Sequence, residues 1–159
     1  MGIFRPRLAP ITRRLMTLKL KVDYKSPSRE QLFLGAGWEP ARDVRGAYIS
    51  GPAGELLIGN WALSRNFASR LTLAFSMATR AAVDAMMVRV SGTFGSSHVI
   101  VQKSQQARLV ISPLFADPNR SYVRIMLEPT FGPSGNIPAS AGTMDLIALD
   151  ELEIERASR

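Results

Sequence analysis

The sequence predicts an antiparallel β-sandwich with one or two short helices, preceded by a flexible basic N-terminal arm. Three observations predict it. In short runs such as Leu15 to Tyr24, apolar and polar residues alternate with the two-residue period of a half-buried strand. Beyond Gly95, the β-branched runs His98 to Gln102, Arg108 to Phe115 and Tyr122 to Glu128 follow one another closely, each bounded by Gly, Pro, Asn or Asp. Finally, 159 residues with 46% hydrophobic and 21% charged side chains suit one folded core rather than a disordered chain.

Taken in order, Met1 to Arg14 holds Pro6 and Pro10 among four arginines and keeps no apolar period, so residues 1–14 read as the arm. The strand Leu15 to Tyr24 opens a single domain over 15–159. It sets Leu18, Leu20, Val22 and Tyr24 against Thr17, Lys19, Lys21 and Asp23. Ser26-Pro27-Ser28 ends it. Ser28 then caps a short helix through Leu34, stopped by Gly35 and Gly37. Arg45 to Ile49 and Glu55 to Trp61, separated by Ser50-Gly51-Pro52-Ala53-Gly54, read as a β-hairpin.

Ser69 to Met77 alternates like a strand, although Phe67, Leu71, Phe75 and Ala78 also fit a helical spacing; the strand is preferred. Alanine-rich Ala78 to Ala85 predicts a helix, and Met86 to Phe94 a strand. After the three β-branched strands, Pro129 to Gly142 reads as one long exposed loop. Thr143 to Leu149 and Glu151 to Glu155 then close the chain as two strands. Neither an internal repeat nor a linker interrupts the domain.

Charge is distributed unevenly. The net value is +7, yet Met1 to Lys25 holds Arg5, Arg7, Arg13, Arg14, Lys19, Lys21 and Lys25 against Asp23 alone. Asp145, Asp150, Glu151, Glu153 and Glu155 reverse the sign near the end, with no base among them. These acids offer oxygen ligands for a hard cation, but an acidic, solvated strand edge that resists unwanted pairing is the better reading. Arginine outnumbers lysine sixteen to four, which suits bidentate phosphate contacts and equally suits a genome rich in G and C.

The sequence carries no enzyme signature. There is no cysteine and one histidine, His98, within an apolar strand, so neither a thiol nucleophile nor a multi-histidine metal site is available. The GxSxG elbow and the Walker loop are missing. Gly35 and Gly37 match half a dinucleotide fingerprint, with Pro40 where the third glycine belongs. No cofactor and no small-molecule substrate are expected. The chain also lacks a long apolar run and a signal-peptide core, which predicts an intracellular protein at synthesis. Trp38, Tyr48, Trp61, Phe67, Phe75, Phe94, Phe115, Tyr122 and Phe131 are dispersed one per element, as core anchors rather than a base-stacking platform.

The order of parts, a proline-broken basic arm, a strand, a sandwich and an acidic close, predicts a self-assembling structural protein. The close, Ser140 to Glu155 (SAGTMDLIALDELEIE), resembles the last strand pair of the single jelly-roll coat proteins of small plant RNA viruses. That resemblance implies a jelly-roll-like sandwich, a homo-oligomeric shell and residence in a virion. The arm, through Arg5, Arg7, Arg13 and Arg14, and the strand, through Lys19 and Lys21, would then contact nucleic-acid phosphate without reading sequence. The alternatives are a matrix-like assembly whose basic N-terminus meets anionic membrane or a nucleocapsid, and a monomeric β-sandwich binding module. Opposite charges at the two ends also suggest head-to-tail contact between subunits.

Overall fold

The computed structural model describes residues 14–21, 33–40, 46–63, 68–130 and 146–158. Among these residues, eleven strands form two antiparallel sheets packed face to face: β1 Arg14–Lys21, β2 Phe33–Leu34, β3 Trp38–Pro40, β4 Ala47–Ile49, β5 Gly54–Gly59, β6 Ser69–Met77, β7 Ala85–Gly92, β8 Gly95–Gln102, β9 Ala107–Leu114, β10 Tyr122–Thr130 and β11 Ile147–Ser158. The first sheet runs β3-β4-β11-β6-β9, with β1 also bonded to β11, and the second runs β2-β5-β10-β7-β8. The inner faces meet through Leu71, Leu73 and Phe75 of β6, Leu152 and Ile154 of β11, Val88 and Val90 of β7, and Ile125 and Leu127 of β10, all fully buried. The residues that alternate inward in the sequence are the ones that supply this core.

Ser69 to Met77 is a strand, as preferred. The helix expected over Ala78 to Ala85 is not formed: residues 78–84 are turn and bend, with Ala81 N–H donating to the Ala78 carbonyl and Ala78 N–H to the Leu146 carbonyl. This segment carries the chain from one sheet to the other, and its buried Ala78 and Ala81 serve by being small rather than by favouring a helix. The helix expected from Ser28 is contradicted at Phe33 and Leu34, which form β2; 28–32 lie outside the described residues. Among the described residues the one helical element is the 3-10 turn Asn60–Ala62.

The expected hairpin is also corrected. β4 pairs with β3 and β11 in one sheet, whereas β5 pairs with β2 and β10 in the other. The spacer Ser50 to Ala53 therefore crosses between sheets. It runs beside a second crossing, Gly35 to Gly37, and the two are bonded through Gly35 N–H to Glu55 O, Glu55 N–H to Ala36 O and Ser50 N–H to Gly37 O. Gly37 adopts φ +90, and a Cβ there would strike the Ala53 carbonyl, so only glycine fits. Trp38 locks the corner by donating its indole N–H to the Glu55 carbonyl at 2.8 Å.

The two closing strands are one, β11, twelve residues long. Its register against β6 shifts between Leu149 and Glu151, inserting Asp150 as a bulge. Ile147 and Leu149 face the core before the bulge, Leu152 and Ile154 after it, so the inward positions change parity and the sequence reads as two strands. The acidic stretch is not an edge: Glu151 and Glu153 lie in a strand paired on both sides. Lys21 and Lys19 of β1 are their register partners on one side, Ala74 and Thr72 of β6 on the other. Glu151 also pairs with Arg108 at 3.4 Å.

Asp150 is 8% exposed; its Oδ2 accepts from the Ser76 hydroxyl and, at 3.2 Å, from Gln106 Nε2, while Oδ1 is buried without a partner. Burial raises its pKa above the usual aspartate value, more than the Ser76 and Gln106 hydrogen bonds lower it, and Glu151 adds to the rise. A raised folded-state pKa gives stability that is full below the unfolded value of about 3.9 and is lost as pH climbs through the folded value. Asp150→Asn abolishes this dependence. Urea midpoints measured from pH 4 to 7 should show the native chain losing ground steadily to the variant as pH rises; a pH-independent difference would refute it. Lys19→Glu sets like charges opposite each other at Glu153 and should lower stability by about 0.5–1 kcal/mol, recovered in Lys19→Glu/Glu153→Lys. Equal midpoints for all three chains would show that the pair contributes nothing.

Candidate functional site

Two large aromatic side chains expected in the core are on the surface instead: Trp61 is 50% and Phe115 55% exposed, whereas Tyr48 and Phe75 are buried as anticipated. Both stand at the same end of the sandwich, where β5 ends in the 3-10 turn and β9 passes into the loop 115–121 before β10. The polypeptide holds Trp61 from two sides. Its ring lies against Gly59, where a Cβ would come within 2.7 Å of the indole Cδ1, and its carbonyl accepts from Arg156 Nη1 at 2.6 Å.

The loop is stapled by Asn60. Asn60 Nδ2 donates to the carbonyls of Asp117 at 2.8 Å and Arg120 at 2.6 Å, its Oδ1 accepts from Asp117 N–H at 3.4 Å, and its own N–H donates to Ser121 O at 2.9 Å. Within the loop, Asp117 Oδ1 accepts from Asn119 N–H, an Asx turn. A hollow of about 650 Å³ opens between Trp61 and this loop, lined also by Asn60, Asp117 and Arg120. A second, of about 450 Å³, lies on the far side, lined by Phe94, Pro113, Phe115 and Asn119. Ala116, Asp117 and Pro118 border both, so the two hollows adjoin as one cleft with these three residues as the ridge between them.

The cleft offers two apolar rings, a carboxylate, an amide and a guanidinium. Among the described residues it has no histidine, and no group of three His, Cys, Asp or Glu is placed to hold a metal ion. His98 lies elsewhere, exposed on β8 opposite Arg89. The arrangement suits reversible binding of a ligand with apolar faces and polar edges.

Of the residues expected to contact phosphate, Arg5, Arg7 and Arg13 lie outside the described residues. Arg14, Lys19 and Lys21 are on β1 at register positions opposite Ser158, Glu153 and Glu151. The strand thus sets both lysines against the acidic strand of the same chain. The sequence reading missed Trp61 and Phe115; the signal available was that each adjoins turn-forming polar residues, Gly59-Asn60 before Trp61 and Asp117-Pro118-Asn119 after Phe115.

No protein-family model matches the chain, and no curated protein sequence matches it. Solved structures do. The CBM36-1 domain of a multidomain xylanase from the hindgut metagenome of Trinervitermes trinervoides aligns with TM-score 0.52 and 13% identity, covering 91% of this chain and 100% of that domain. The CBM22-2 xylan-binding domain from Paenibacillus barcinonensis Xyn10C aligns with TM-score 0.53 and 10% identity, covering 89% and 99%. A virus-like particle of extra small virus from the giant freshwater prawn Macrobrachium rosenbergii aligns at TM-score 0.33 with 12% identity over 99% and 90%, a likeness too slight to argue from. The fold is therefore the jelly-roll-like β-sandwich found in carbohydrate-binding modules.

Asn60→Ala removes the side chain that ties the loop down: the Arg120 carbonyl loses the Asn60 amide donor, and the Asp117 carbonyl keeps only the longer bond from Arg120 N–H at 3.3 Å. It should lower stability by roughly 1–3 kcal/mol and speed hydrogen exchange at the Asp117 and Arg120 amides more than in the sheets. Unchanged exchange in the loop would remove Asn60 from its supporting role.

Proposed function

We infer that the chain is a non-catalytic β-sandwich binding module whose end cleft takes carbohydrate. The observation that carries this reading is the pair of half-exposed rings, Trp61 and Phe115, flanking a loop fixed by Asn60. A pyranose ring presents axial C–H groups on its faces and hydroxyls around its rim. The faces suit an aromatic ring, and the rim suits Asn60, Asp117 and Arg120. The xylan-binding name of one domain of like fold supports trying plant-wall glycans first.

Charge favours a second reading, the coat-like protein whose arm, with Lys19 and Lys21, meets nucleic-acid phosphate, or its matrix-like variant on anionic membrane. Its support is the seven basic residues of Met1 to Lys25 against one acid. The two readings differ in assembly. A binding module elutes from a sizing column as a monomer free of nucleic acid; a coat protein elutes as a large species whose 260 nm absorbance falls after nuclease.

Binding of soluble xylan and related glycans should quench tryptophan fluorescence, because a half-exposed indole changes its environment when covered. Trp61→Ala should weaken glycan binding by about tenfold or more while keeping the far-ultraviolet spectrum of the folded chain. If glycans retard the native chain in affinity electrophoresis and retard Trp61→Ala equally, the site is elsewhere; if none retards either, the carbohydrate reading fails.

A further inference from the structure

The end of the sandwich that holds the cleft also gathers positive charge. Arg156, bonded to the Trp61 carbonyl, stands opposite Met16 of β1 and Ser69 of β6, and Ser69 stands opposite Leu114, the last residue of β9 before the cleft loop. Register therefore brings the start of β1, the start of β6 and the end of β11 to the cleft. Arg14 begins β1 there, Arg70 is exposed next to Ser69, and Arg120 is exposed on the cleft wall. Among the described residues of the cleft loop and these three strand ends, Asp117 and Glu155 are the acids, with Glu155 opposite Arg70.

We propose that the cleft takes a linear acidic glycan, one bearing carboxylate or sulfate groups along its chain, with sugar rings on Trp61 and Phe115 and anionic groups met by Arg120 and Arg70. This rests on the binding-module reading above. The shared border of Ala116, Asp117 and Pro118 joins the two hollows, and a chain of sugars, unlike a single one, spans both. Asp117 on that ridge argues for sugar over nucleic acid. A carboxylate there accepts from hydroxyl donors, of which an acidic glycan brings two or more with each anionic group, whereas a nucleic acid brings at most one ribose hydroxyl with each charged phosphate. The surrounding arginines distinguish an acidic chain from a neutral one.

The test uses the full chain in affinity electrophoresis and calorimetry with four probes: polygalacturonate, dextran sulfate, neutral arabinoxylan and single-stranded RNA. At about 50 mM NaCl the acidic glycans should bind at least about tenfold tighter than arabinoxylan, and the excess should vanish near 0.5 M salt as screening shortens the reach of the charges. Arg70→Gln, outside the residues that line the hollows, should cut the preference for acidic over neutral glycan severalfold while leaving arabinoxylan binding unchanged, and Arg120→Gln should weaken acidic-glycan binding severalfold more than it weakens arabinoxylan binding. Trp61→Ala should weaken both classes. The stronger of polygalacturonate and dextran sulfate identifies the anionic group as carboxylate or sulfate. Equal binding of acidic and neutral glycans overturns this inference and leaves the binding module standing. RNA binding tighter than any glycan and insensitive to Trp61→Ala overturns both.

Discussion

The structure depends on the pairing of its last strand with its first. β11 lies inside a sheet, bonded to β6 along one side and to β4 and then β1 along the other. Its Leu149, Leu152 and Ile154 are completely buried, so the end of the chain is as deep in the core as any part of it. This joins residues more than a hundred positions apart, a long-range closure whose entropy cost only cooperative burial and ladder hydrogen bonds offset. The same strand sets the charge pattern, since its glutamates sit between β1 and β6, and it sets the cleft, since Arg156 anchors the Trp61 backbone.

The strands were legible in the sequence because alternation is a local signal. Ser69 to Met77, the start of Met86 to Phe94, and Tyr122 to Glu128 show inward positions two apart, and the structure buries those positions. What was not legible is which sheet each strand joins. Ser50 to Ala53 has the composition and length of a hairpin turn, yet it links two sheets, because the partner of each flanking strand comes from far away in sequence. Ala78 to Ala85 failed for a related reason: alanine favours helix in isolation, but a crossing between sheets selects small residues for close packing, and tertiary context overrides propensity.

The cleft was less legible than the fold. Aromatic residues are most often core residues, so dispersal along the chain argues for burial, and for Tyr48 and Phe75 that argument holds. Trp61 differs in sitting within the 3-10 turn two residues past the end of β5, and Phe115 in lying one residue past the end of β9. Such a position is visible only once the loop from 115 to 121 is seen folded back upon Asn60. The hydrogen bonds of Asn60 reach across 57 and 60 positions, a separation that no local pattern reports.

Net charge carries its own lesson. A sum of +7, with bases at one end of the sequence and acids at the other, invites a picture of opposite poles that attract other molecules. Folding places β1 beside β11, so Lys19 and Lys21 are register neighbours of Glu153 and Glu151 within one sheet. At the cleft end, Arg120 is exposed on the wall of the hollow that Trp61 also lines, and Arg70, opposite Glu155, is exposed at the start of β6. Charge and aromatic surface thus meet at one end of the sandwich, where Arg120, Asp117 and Trp61 line the same hollow.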